Sequence, residues 1–309
     1  MDFHLVKIEG KALKKLIEVV SSGIGTLYRP RSIRRDADAQ AYAIKVVGKA
    51  QAEADAEARL IEVETDDRIC RRIAAKEVRR QDNIDTVIEI AAENLDGQEV
   101  SDNPVDIDWA ARFFDIVQDV SREEMKVLWA KILAKEIERP STFSLRTLEV
   151  LRNITAEEAA IFEKVADYIL YQGNDYFLLN KNEVLERFDI HYCDLALLTE
   201  SGILQPGELV SKVYKSGVDK DSHSAFFYGK YVIFMVLPKS SNEVSIPSLI
   251  FTKVGRELYS LLEPKESVEY MQELSKDVKK KNPAASLSYS EWISHEGNRV
   301  EYKTPVISL

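Results

Sequence analysis

The chain has 309 residues, 45% of them hydrophobic and 30% charged, with a net charge of -10 and a pI near 5.2. That is enough apolar material for two or three cored domains, and it argues against wholesale disorder. Two cysteines, Cys70 and Cys193, cannot build a disulfide framework. No run of eighteen apolar residues occurs, so no transmembrane helix is expected.

The first 35 residues carry eight bases against three acids, a balance of +5 that leaves -15 for the rest of the chain. Within them Leu13, Leu16, Ile17 and Val20 recur at helical spacing. Lys11, Lys14 and Lys15 flank that stripe, and Arg29, Arg31, Arg34 and Arg35 follow it. Lysines beside an apolar face suit an interfacial helix on an anionic surface, and equally a helix docked on its own protein. The expectation drawn from residues 1–30 is a basic amphipathic arm, with those seven cations as the anion-binding set and the four apolar residues inserted or docked. Gly23 and Gly25 weaken the helix and mark flexibility or close helix packing.

Residues 31–97 are rich in alanine and free of proline after residue 30. They predict two long helices, roughly 33–64 and 67–95, forming a helical hairpin or an oligomerising coiled-coil stalk. The polar stretch 98–106 is a linker. A helical core domain is expected over 104–172. It holds a helix opened by Asp106 or Asp108, a second at about 122–138 after a Ser121/Glu124 capping box, a short one at 144–152, and one after a Thr155/Glu158 box.

Over 173–265 the pattern changes to two short helices (181–188 and 191–201), extended segments at 208–216, 226–237 and 244–251, and a capped helix from Thr252. This order is compatible with a winged-helix-like α+β module. A helix at 266–280 and a hairpin around Gly297 complete the chain. The fold class expected is therefore mainly α with a smaller α+β part.

Catalytic signatures are absent from the sequence. There is no Cys-x-x-Cys, no His-Glu-x-x-His, no phosphate loop and no nucleophile elbow, so no metal, cofactor or catalytic residue is assigned. His191 and Cys193 are read as a surface imidazole and a buried thiol. DNA binding by the winged module is disfavoured, because 173–265 holds ten bases and twelve acids and the segment 191–200 has no lysine or arginine. The opening Met1–Leu5 lacks the order of a signal peptide, so the expected location is the cytoplasm, with the arm allowing peripheral contact with the inner membrane.

Three runs resemble one family of uncharacterised bacterial proteins, often prophage-encoded, known as domain of unknown function 2806. They are LIEVVSSGIGTLYRPRSIRRDADAQAYAIKV (16–46), DWAARFFDIVQDVSREEMKVLWAKILAKEIERPSTFSLRTLEVLRNIT (108–155), and the pair LLTESGIL (197–204) and FTKVGRELYSLL (251–262). The resemblance covers roughly residues 10–265 and carries no catalytic residues. It implies a mobile-element setting, and hence a role in phage defence or superinfection exclusion. The expected function is a non-enzymatic effector or sensor that self-associates through the stalk and meets an anionic membrane or phage component through the arm. The alternative is a winged-helix DNA-binding regulator.

Overall fold

The computed structural model describes residues 10–25, 60–207, 210–296 and 299–309. The chain divides into two compact units, residues 1–148 and 149–309. Its fold is mixed α+β, with ten α-helices and one nine-stranded sheet among the described residues.

The first unit is helical: α1 Lys11–Ile24, α2 Leu60–Leu95, α3 Ile107–Val117 and α4 Glu123–Glu138. α1 packs on α3, and α2 packs on α4. The core takes Leu16, Val19 and Val20 from α1, and Ile84, Val87, Ile88, Ala91 and Leu95 from α2. Trp109 stacks on Phe113 at 5.1 Å, and Phe113 meets the edge of Trp129 at 5.5 Å. So this core draws on segments that the sequence separates into arm, stalk and core domain.

Local signals explain most helix ends. Asp106, not Asp108, caps α3 by accepting from Trp109 N at 2.8 Å. The Ser121/Glu124 box does not form: α4 starts one residue later than that box requires, and Arg122 holds the capping position without a side-chain bond. After α4 the chain turns sharply, and the buried carboxylate of Glu136 accepts from Ser141 N at 2.6 Å and Phe143 N at 2.9 Å. Those two main-chain donors lie in the turn, outside any helix, and the carboxylate satisfies them.

The stalk differs from its expectation. α2 is continuous from Leu60 to Leu95, so the break placed between 64 and 67 does not occur. Ala, Glu and Arg sustain a helix, and no glycine or proline interrupts it. The first helix of the expected hairpin, up to residue 59, lies outside the described residues, as do Arg29, Arg31, Arg34 and Arg35.

The division between units falls inside α5, Leu145–Asn153. The second unit then holds α6 Ala156–Ala166, α7 Asn182–Leu185 with a 3-10 turn to Phe188, α8 Tyr192–Glu200, α9 Lys253–Tyr259 and α10 Val268–Lys281. The Thr155/Glu158 capping box of α6 is present, with bonds of 3.1 and 2.7 Å. The strands are β1 Leu170–Gln172, β2 Asp175–Leu179, β3 Ser211–Tyr214, β4 Ser222–Tyr228, β5 Tyr231–Leu237, β6 Val244–Ile250, β7 Ser286–Glu296, β8 Arg299–Tyr302 and β9 Ile307–Ser308. Their order is β3-β6-β2-β1-β4-β5-β7-β8, with β9 also on β7, and the paired strands are antiparallel.

The two short helices expected before the strands are α7 and α8. The strands after them join a sheet that also takes in β1, β2 and the C-terminal strands, so it is larger than a wing. The single strand expected at 226–237 is a hairpin, β4–β5, turning at Gly229, whose φ is 51°. α10 supplies Tyr270, Met271, Leu274 and Val278 to the core, and the Tyr270 hydroxyl accepts from Leu179 N at 2.9 Å. Its polar side is held by two bonds from Arg187 to Glu273 (3.0 and 2.9 Å) and by Lys181 and Lys281 on the buried Asp277.

Candidate functional site

The stripe of α1 is amphipathic because its apolar residues face α3. Leu16 and Val20 are buried, and Leu13 and Ile17 are half-buried. The close approach is made at Gly23, where an added Cβ would lie 2.3 Å from the Phe114 ring and 2.8 Å from the Ala110 carbonyl oxygen. Gly25 closes the helix at φ 71°. So the apolar face read from the sequence is packed within the chain's own helical unit.

Two of the three lysines beside it are engaged as well. Lys15 is buried, and its ammonium donates to the carbonyls of Ser101 and Asn103. Burial, more than the neighbouring Lys11, pushes its pKa down. Lys11 pairs with Asp102, and that hydrogen bond holds the Asp102 carboxyl below its usual range. Lys14 is exposed.

A second basic segment stands on α2. Residues 68–80 read RICRRIAAKEVRR, with cations at Arg68, Arg71, Arg72, Lys76, Arg79 and Arg80 and one acid, Glu77. Every residue from Arg68 through Arg79 is exposed, including Ile73 at 53% and Val78 at 62%. An α-helix turns about 100° per residue. On that geometry Ile69 and Ile73 continue the stripe of Ile84, Val87, Ile88, Ala91 and Leu95 beyond the core. Arg68, Arg72, Lys76 and Arg79 fall within an adjacent arc of about 80°.

The root of this segment is fixed. Arg80 donates two bonds to Asp119, at 3.0 and 3.1 Å, and lies 3.2 Å from Glu77. The Arg80 guanidinium holds the Asp119 carboxyl below its usual range. Asn83 donates to the Gln118 carbonyl at 2.9 Å. The core therefore presents residues 68–79 of α2 in one direction. Reading the charge of residues 1–35 alone, against a pooled remainder, hides this segment; a short sliding count of charge along the helix finds it.

Other polar clusters are structural. Lys164 bonds Asp194 at 2.9 Å, Asp194 accepts from His191 N at 3.0 Å, and His191 Nε2 lies 3.1 Å from Asp189. These bonds fix the start of α8. Cys193 is exposed, not buried as expected, because it sits in the first turn of α8 beside the 72%-exposed Tyr192. An open cleft at Asp219–His223 and Lys239 is lined by mixed charge on a hairpin end. No group of three or more metal-ligating side chains occurs among the described residues. No helix among them is long and apolar enough to cross a membrane.

No curated protein and no solved structure matches the chain. A family model matches residues 67–275. The match takes in the central run 108–155 and the two C-terminal runs, and it begins after the opening run 16–46. It also contains the whole basic segment of α2. It covers most of the chain, which therefore belongs to the family described as protein of unknown function (DUF2806).

Proposed function

We propose that the chain is a binding protein that engages a polyanion through residues 68–80 of α2. The observation that carries this reading is the charge of residues 68–80: six cations against one acid, exposed from 68 through 79, in a chain of net charge -10. Like charges three and four apart on a helix cost about 0.2–0.5 kcal/mol per pair. Arg72, Lys76 and Arg79 bear that cost on a face with one acid in the run. A polyanion bound along it removes the repulsion and adds charge-assisted hydrogen bonds.

The reading keeps the non-enzymatic role and the anionic contact expected from the sequence, and moves that contact from α1 to α2. Self-association through the part of the stalk before residue 60 is compatible with it. A winged-helix DNA reader gains no support from α8, which carries Asp194 and Glu200 and no lysine or arginine.

Heparin chromatography of the full chain tests the reading. Arg72→Glu/Lys76→Glu/Arg79→Glu should elute at much lower salt than the parent, and Lys76→Glu alone at intermediate salt. Lys14→Glu, an equal charge change on α1, should shift elution less than Lys76→Glu. Elution of the triple variant with the parent refutes the polyanion reading.

A further inference from the structure

We propose that the polyanion met by α2 is duplex nucleic acid, gripped along its phosphate backbone by Arg72, Lys76 and Arg79. This rests on the polyanion reading and names its ligand.

The geometry of the cations favours a ligand with a regular charge repeat. Arg72, Lys76 and Arg79 succeed one another at steps of four and three, so they advance about 5–6 Å each and span about 10 Å along one side of the helix. Duplex DNA offers one phosphate charge per ~1.7 Å of its axis, on a rigid repeat. The cations are mostly arginine, whose planar fork matches phosphate oxygens two at a time. The clamp of Arg80 on Asp119 and of Asn83 on Gln118 fixes the direction in which this row is presented, so little orientation is lost on binding.

The same residues disfavour the other occupants. A helix lying in a lipid interface needs one broad apolar face of bulky residues. Between Arg68 and Arg80 the large apolar residues are Ile69, Ile73 and Val78, with no leucine or aromatic, and Val78 lies on the side of the helix opposite Ile69. A second copy pairing through this segment would bring Lys76 and Arg80 into the seam with Ile69 and Ile73, setting like charges against each other.

Fluorescence anisotropy of the full chain with a labelled, mixed-sequence 20-base-pair DNA duplex tests the proposal, beside sedimentation with phosphatidylglycerol vesicles and the measured mass of the free protein. Each phosphate contact contributes a slope of about 0.9 in log affinity against log salt. Three contacts therefore predict a loss of about 40-fold in affinity between 50 and 200 mM salt. Arg72→Glu/Lys76→Glu/Arg79→Glu should abolish duplex binding at 50 mM salt, and Lys14→Glu should leave it within twofold of the parent. Parent and triple variant should show equal thermal midpoints, because positions 72, 76 and 79 are exposed. Duplex binding unchanged in the triple variant overturns the proposal. Vesicle binding without duplex binding, lost in the triple variant, overturns the duplex assignment and leaves the polyanion reading standing. A dimer that the triple variant loses, with no duplex bound, makes a second copy the occupant and overturns it likewise. No binding of duplex, vesicle or heparin overturns both.

Discussion

Two glycines two positions apart in α1 do opposite jobs, and substitution separates them. At Gly23 the backbone is helical, so alanine costs no strain and gains about 1 kcal/mol of helix propensity. The contact decides the sign. A Cβ at 2.3 Å from Phe114 Cδ2 and 2.8 Å from Ala110 O must move out by more than an ångström to reach normal contact, which begins near 3.5 Å. The Phe114 ring is buried, and the Ala110 oxygen is main chain of α3, so relief requires α1 to lift. Overpacking of this kind costs about 1–3 kcal/mol, which cancels the propensity gain and leaves Gly23→Ala destabilised by up to about 2 kcal/mol. At Gly25 there is open space, but φ is 71°, so Gly25→Ala pays about 1 kcal/mol for the left-handed backbone alone. Urea unfolding followed by tryptophan fluorescence suits the comparison, because Trp109 and Trp129 both lie in this core. Phe114→Leu should couple to Gly23→Ala by at least about 0.5 kcal/mol and simply add to Gly25→Ala. Gly23→Ala more stable than the parent, or equal coupling at the two glycines, refutes the packing argument.

Two further substitutions probe the polar bonds that hold each unit. Glu136→Ala strands the amides of Ser141 and Phe143 and should cost about 2–4 kcal/mol in the same urea experiment, with Glu136→Gln losing less; a cost under about 0.5 kcal/mol contradicts the assigned bonds. Glu273 is held below its usual carboxylate range by the bond from Lys276, and then by Arg187. A carboxylate depressed in the folded state binds fewer protons there than in the unfolded chain, so its contribution is complete above about pH 4.5 and drains away as the pH falls through the folded value. The advantage of the parent over Glu273→Gln should therefore shrink below pH 4.5 in urea titrations followed by circular dichroism, and a difference constant from pH 7 to pH 3 argues against the linkage.

Helix positions were legible in the sequence wherever a cap or a stripe stated them, as at Thr155/Glu158, Asp106 and the α10 segment. The stripe of α1 was legible too, but not its partner: periodicity shows that one face is covered, and Leu16 looks the same facing lipid or Phe114. The β1–β2 hairpin was missed although Gly173-Asn174 is a two-residue turn signal, because the capped helix before it carries its apolar spacing into Ile169 and Leu170. On α2 the apolar stripe is interrupted after Ile73, where Lys76, Glu77 and Arg80 take its positions, and it resumes at Ile84, so the pattern marks where the core ends. The fold shows that residues 68–79 lie beyond it. The candidate cations were in plain view, and a charge count pooled over most of the chain averaged them away.

The length of α2 gives that arrangement a mechanical side. Its 36 residues run about 54 Å without a glycine or proline, and roughly its second half is bedded on α4. Such a rod is a cantilever. A load at Arg72 acts about 18 Å from the first buried apolar residue, Ile84, and no glycine or proline between them absorbs it. The torque arrives at the Arg80–Asp119 and Asn83–Gln118 bonds, on the turn that joins α3 to α4. Whatever loads the outer half of the rod is felt first at that turn, inside the helical unit.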